Sequence, residues 1–180
     1  MNDDAKNIET YRFTGAVAER MNVELLESFR TTEEQPLEHP LIDGDEDMEV
    51  PEMGNIWLGD QTEARHWLFR RMKYYTDLYL GSVDEPRHYL GWVNVYEPGQ
   101  GIKRHDHGVT SVVCTYYPQG GGAIVFDHPI GRVATMTGTL ALFPGDVAHW
   151  SEKNEGDEAR VCVVTNVQVG SIDFTDAPYV

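Results

Sequence analysis

The chain has 180 residues, 41% of them hydrophobic and 24% charged, a size and composition that suit one soluble globular domain with a proper core. Its 14 Lys and Arg face 30 Asp and Glu, a formal charge of −16 that argues against autonomous binding to nucleic acid or anionic membranes. The longest apolar runs fall far below the ~18 residues of a membrane span, and the opening MNDDAKNIET has neither the basic start nor the apolar stretch of a signal peptide, which predicts a cytoplasmic location.

In chain order, residues 16–30 (AVAERMNVELLESFR) place Ala16, Val17, Met21, Leu25 and Leu26 at three- and four-residue spacing, which predicts an amphipathic helix. An acidic stretch with Pro36, Pro40 and the run Asp43 to Glu49 reads as a solvated loop. A second helix is predicted from near Asp60, with Asp60 and Glu63 in the form of a capping box. Ala64, Trp67, Leu68, Met72, Tyr75 and Tyr79 mark its apolar face. From Arg87 onward the pattern turns to short strands, at 88–96, 101–105, 109–117, 122–126, 139–143 and 160–168, separated by Gly- and Pro-rich turns. Helices first and strands later make an α+β domain, a β-barrel with the N-terminal helices packed against one sheet. One domain spans 1–180, mainly helical with its acidic loop over 1–86 and β over 87–170. The two cysteines, Cys114 and Cys162, allow at most one bridge and read as buried thiols.

The chemistry concentrates in YEPGQGIKRHDH, residues 96–107. Alternate side chains of a strand share a face, so His105 and His107 project together and can hold a transition metal if a third ligand joins them. His149, after the turn Phe143-Pro144-Gly145, is the best third ligand. Asp106 faces the other way unless the backbone shifts locally, and it is the alternative to His107. His39, His66, His88 and His128 read as surface or structural residues.

Over residues 90 to 168 the sequence resembles the 2-oxoglutarate- and iron(II)-dependent oxygenases of the double-stranded β-helix (jelly-roll) fold, above all their prolyl-hydroxylase-like branch. The matching elements are YEPGQGIKRHDH, the strand end VVCTYYP, the glycine pair before the apolar strand in GGGAIVF, the turn in GTLALFPGDVAHW and an arginine opening RVCVVTN. The resemblance implies that His105 and His149 ligate iron(II) and that Arg160 pairs with the far carboxylate of 2-oxoglutarate, a task that suits a planar guanidinium. It also implies that Tyr117 and Tyr96 lie on the cosubstrate side. Where the family carries His-x-Asp or His-x-Glu, this chain has His107, so the ligand set becomes three histidines. The implied reaction is hydroxylation of a C–H bond of a small molecule, amino acid or peptide, with dioxygen consumed and succinate and carbon dioxide released. No residue beyond the ligands is assigned to catalysis, and the segment 127–137, the N-terminal helices and the acidic loop are candidate walls or lids.

Two other readings compete. Gly99 and the HxH fit the opening of a cupin motif, as in three-histidine dioxygenases or isomerases that use no 2-oxoglutarate; that motif's glutamate is missing, and Arg160 is left without a role. A barrel with a purely structural metal would need a closed, four-ligand site, and neither cysteine stands near the HxH in a ligand pattern.

Overall fold

A computed structural model of the chain describes residues 8–31, 55–58, 62–81, 85–108, 110 and 112–170. In chain order the elements are β1 (Glu9–Arg12), α1 (Ala16–Thr31), α2 (Glu63–Leu80), β2 (Arg87–Tyr96), β3 (Ile102–His105), β4 (Val112–Gln119), β5 (Ala123–Phe126), β6 (Gly131–Ala134), β7 (Thr139–Pro144), β8 (His149–Ser151) and β9 (Arg160–Val169). The strands form two antiparallel sheets, one in the order β1-β7-β4-β9-β2 and a smaller one in the order β3-β8-β5-β6. The six expected strands are all present. β1, β6 and β8 are additional, each only three or four residues long and too short for an alternating pattern to stand out. β6 pairs with β5, so the middle of the segment read as a wall or lid is an edge strand of the small sheet.

Each face of the large sheet has its own core, because alternate residues of a strand point to opposite sides. Val112, Cys114 and Tyr116 of β4, Leu140 and Leu142 of β7 and Val163 and Val167 of β9 pack under the helices. The alternate set, including Val113, Tyr117, Phe143, Cys162 and Val164, faces the small sheet and meets Ile124, Phe126 and Val147. The tyrosine pair is therefore split. Tyr116 points to the helices and donates to Asn22 Oδ1 at 2.7 Å, while Tyr117 points into the barrel. The two cysteines are split in the same way, on opposite faces of one sheet, and both are free thiols.

The helices occupy the expected places with two corrections. The buried stripe of α1 is Ala18, Met21, Asn22, Leu25 and Ser28, whereas Val17 is 60% exposed. That stripe keeps Met21 and Leu25 of the sequence reading but takes in Ala18, Asn22 and Ser28 in place of Ala16, Val17 and Leu26, because Asn22 and Ser28 are polar residues buried with partners. The cap of α2 is Thr62, whose side chain accepts from Arg65 N at 3.2 Å. Asp60, the expected cap, lies outside the described residues, as does the acidic stretch 32–54. Ala64, Trp67, Leu68 and Met72 are buried on the sheet, with Tyr75 and Tyr79 partly buried beside them. Full burial of Leu68 or Met72 stabilises the fold by roughly 1.5–3 kcal/mol each. Among the described residues, no helix is long and apolar enough to cross a membrane.

Beside this helical layer, Trp57 donates through Nε1 to Thr165 Oγ1 at 3.1 Å and lies flat over Gly91. A side chain at residue 91 would collide with the indole, so only glycine lets that turn lie on β2.

Candidate active site

β3 and β8 pair with His105 directly opposite His149. His107 follows β3 by two residues, and its N–H donates to the Gly145 carbonyl at 2.8 Å. This fastens the HxH segment to the Pro-Gly turn that leads into His149. A methyl group on Gly145 would collide with the Thr110 carbonyl, so the close approach requires glycine. Each of the three histidines offers one ring nitrogen, and these nitrogens lie within 4.8 Å of one another. The ring centroids are 4.4 Å apart for His105–His149, 5.3 Å for His105–His107 and 5.2 Å for His107–His149. The last pair is parallel to within 3°.

Two of the rings are oriented from behind. His105 Nδ1 lies 2.8 Å from the Lys103 carbonyl and His149 Nδ1 lies 2.9 Å from the Val147 carbonyl. A carbonyl only accepts, so each Nδ1 carries the proton and each Nε2 keeps its lone pair for a ligand. Burial holds both imidazoles below their usual pKa, and the neighbouring His105 helps push His149 to about 4. Neutral, tautomer-fixed imidazoles converging on one point are the donor set that a divalent transition metal takes, so the residues present fit an iron ion. His149 is packed between Phe143, at 4.7 Å, and Phe126, at 5.9 Å, which keeps its side of the site dry. His107 is stacked on the indole of Trp92 with centroids 5.9 Å apart and planes 28° apart.

Asp106 stays outside this group. It is exposed, and its carboxylate accepts from Gly108 N–H at 2.9 Å in an Asx turn. His66, His88 and His128 are exposed on other parts of the surface. His39 lies outside the described residues.

The other predicted residues meet at the far end of the barrel. Arg160 opens β9 opposite Tyr96 on β2, and its guanidinium lies 4.5 Å from the Tyr96 ring centroid. It is 1% exposed and donates to the Gly121 carbonyl at 3.1 Å and the Glu152 carbonyl at 2.7 Å. Its Nε has no partner, and among the described residues no carboxylate pairs with it. A buried cation ordinarily has an anion beside it, because desolvating an unpaired charge is costly. Glu152 stands three residues beyond His149, so at the strand rise the arginine and the histidines are separated by roughly 10 Å.

Tyr96 and Tyr117 are both buried, and burial raises both phenols above their usual range. The Tyr96 hydroxyl accepts from Asn94 Nδ2 at 3.2 Å, and the Tyr117 hydroxyl lies beside the Cys162 thiol. A wider pattern connects the two ends. Of the eight buried side-chain polar atoms without a partner among the described residues, five sit on the inward face of the large sheet: Trp92 Nε1, Asn94 Oδ1, Thr115 Oγ1, Arg160 Nε and Asn166 Oδ1. Unpaired buried groups are rare in folded proteins, so five on one wall of the barrel set that wall apart from the rest of the core. The sequence reading passed over Trp92, Asn94 and Gly145. The first two carried a signal, since they precede Tyr96 by four and two residues and share its face. Gly145 was read only as a turn residue.

No protein-family model matches the sequence, and no curated protein matches it. Solved structures do match. A prolyl-4-hydroxylase of Pseudomonas putida is 18% identical with a TM-score of 0.61, over 91% of this chain and 93% of its own. The viral collagen prolyl hydroxylase of Paramecium Bursaria Chlorella virus-1, in a 2-oxoglutarate complex, is 12% identical with a TM-score of 0.66, over 95% of this chain and 100% of its own. A non-heme α-ketoglutarate-dependent epimerase of nogalamycin biosynthesis is 13% identical with a TM-score of 0.66, over 97% and 85%. These likenesses establish the fold, a double-stranded β-helix with helices against the larger sheet.

Proposed function

We propose that this chain is an iron(II)- and 2-oxoglutarate-dependent dioxygenase that hydroxylates a C–H bond of a small molecule, amino acid or peptide. The observation that carries the reading is a pairing within one barrel: three convergent neutral imidazoles and a buried arginine that forms no ion pair with a carboxylate among the described residues. His105, His107 and His149 hold the metal. Arg160 receives the distal carboxylate of the cosubstrate, with Tyr96 and Tyr117 as flanking hydroxyl groups. Iron(II), when bound with its cosubstrate, would supply the electrons that activate dioxygen for attack on a C–H bond, a capacity that no side chain in the barrel offers.

The chain's own residues then have three tasks. The Lys103 and Val147 carbonyls keep the metal-facing nitrogens of His105 and His149 deprotonated. Phe126, Phe143, Val113 and Val164 line the barrel with apolar surface that excludes water from the reacting atoms. Arg160 sets the depth at which the diacid sits, which fixes where its other end meets the metal. Three neutral imidazoles leave the charge of the ion uncompensated by the protein, where a carboxylate ligand would cancel one unit. A dianionic cosubstrate is attracted accordingly. Solved structures of this fold include prolyl hydroxylases and an epimerase, so substrate placement decides the outcome of oxidation. The three-histidine cupin alternative gives Arg160 no task.

Anaerobic titration of the iron(II)-loaded protein with 2-oxoglutarate tests the proposal. Bidentate binding of the keto acid produces a weak charge-transfer band in the green. Absence of that band while iron is bound would refute the cosubstrate assignment and favour chemistry on a substrate that chelates the metal itself.

A further inference from the structure

We propose that Asn154 is a positioning residue for Arg160: its carboxamide clamps the end of β2 to the approach of β9 and so fixes where the guanidinium meets the distal carboxylate of 2-oxoglutarate. The inference rests on the reading of Arg160 as the cosubstrate anchor.

Residues 152–159 link β8 to β9 without regular structure. Asparagine in such a segment is ordinarily exposed, yet Asn154 is 5% exposed. Its Nδ2 donates to the Tyr96 carbonyl at 2.9 Å and to the Glu158 carbonyl at 2.7 Å, one hydrogen for each, while Oδ1 accepts from Gly156 N–H at 3.2 Å. Its main chain makes two more bonds, donating to the Gln100 carbonyl at 2.8 Å and accepting from Gly99 N–H at 2.7 Å.

The same segments hold Arg160. Tyr96 is its partner in the β2–β9 ladder, and the Tyr96 ring lies against the guanidinium. Glu158 precedes Arg160 by two residues, and Glu152, whose carbonyl accepts from Arg160 Nη2, precedes Asn154 by two. On another side the Gly121 carbonyl accepts from Nη1, and a Cβ at Gly122 would lie 2.9 Å from that nitrogen. The guanidinium thus takes its place from three stretches of chain: the end of β2, the turn at 121–122 and the loop 152–159. Asn154 bonds the first of these to the third. The task needs two N–H donors and an acceptor on one short planar group, which a carboxamide has. A carboxylate of the same shape would set oxygen against two carbonyls. The bonds to Gly99 and Gln100 are main-chain bonds, so cutting the side chain back leaves the loop docked on its turn.

Calorimetric titration of 2-oxoglutarate into the iron(II)-loaded full chain, without dioxygen, compares four proteins: unsubstituted, Asn154→Ala, Arg160→Ala and the double variant. Asn154→Ala should weaken 2-oxoglutarate by roughly three- to tenfold, the worth of one neutral hydrogen bond. Its iron(II) affinity, measured by competition with a chelator, should stay within about twofold, and in the Arg160→Ala background the same change should alter 2-oxoglutarate affinity by less than about twofold. Asn154→Asp, which keeps the size and the acceptor but neither donor, should weaken 2-oxoglutarate at least as much as Asn154→Ala.

Equal weakening in both backgrounds would overturn the inference, because the loss would not then run through Arg160. So would unchanged 2-oxoglutarate affinity in Asn154→Ala or Asn154→Asp, or a parallel fall in iron(II) affinity, the mark of a generally loosened barrel. If Arg160→Ala itself leaves 2-oxoglutarate affinity unchanged, the anchor reading is at fault and the inference falls with it.

Discussion

Replacing Arg160 with Ala separates cosubstrate binding from metal binding more cleanly than any other change. In the folded chain the guanidinium spends two donors on the Gly121 and Glu152 carbonyls and keeps Nε unpaired, so it holds a buried charge with capacity to spare. A carboxylate bound to it gains a charge-assisted contact of roughly 1.5–3 kcal/mol, and its loss raises the Kd of 2-oxoglutarate by about ten- to a hundredfold. Thermal unfolding in the presence of metal reads this directly. At a hundred times Kd the ligand stabilises the unsubstituted protein by about 2.7 kcal/mol, which for a domain of this size is roughly 5–11 °C in Tm. At the same concentration the variant should keep half of that shift or less. Its metal affinity should be unchanged, because the histidines lie roughly 10 Å away along the strands. Arg160→Lys, which keeps the charge and loses the planar fork, should fall between the two. Equal Tm shifts in Arg160→Ala and the unsubstituted protein would refute the assignment of Arg160 as the anchor.

The other predictions concern the metal and the core. His105→Ala or His149→Ala should abolish iron binding and turnover, and iron retained at full stoichiometry in either variant would remove the site. Gly145→Ala drives a methyl group into the Thr110 carbonyl and displaces the carbonyl that holds His107 N–H. Metal affinity measured by competition with a chelator should fall at least tenfold, while a change under twofold would show that His107 needs no such anchor. Both thiols are fully buried, and burial pushes Cys162 up to about 12 and Cys114 well above its ordinary 9.0. Native protein should therefore be silent to a thiol reagent at pH 8 and release two equivalents on unfolding. The sign for stability follows: below pH 9 the thiols are neutral in both states, and above it only the unfolded chain ionises. Unfolding free energy should then fall by roughly 1.4 kcal/mol per pH unit for each thiol, and a flat profile from pH 9 to 10.5 would contradict their burial.

The sequence by itself determined the class of the fold and singled out the candidate residues of the site. Short apolar segments between Gly and Pro turns announce the long strands, and the face Ala64, Trp67, Leu68, Met72 announces α2, because both signals arise from burial repeated within one element. HxH on a strand end, a histidine behind a Pro-Gly turn and an arginine opening the last strand are each local patterns, readable before any folding. Other features depend on residues far apart in the chain. β1 and β8 are strands only because β7, β3 and β5 supply partners for their backbone groups. The buried stripe of α1 includes Asn22, which apolarity alone leaves out, since that side chain accepts from the Tyr116 hydroxyl, 94 residues away. Tertiary structure likewise decided that Asp106 turns to Gly108 N–H, that the Gly145 carbonyl holds His107 and that Trp92 lies against its ring. Composition and spacing tell which residues could meet; only the pairing of β3 with β8 and the closure of the two sheets bring three imidazoles to one point and bury Arg160 against the Gly121 and Glu152 carbonyls.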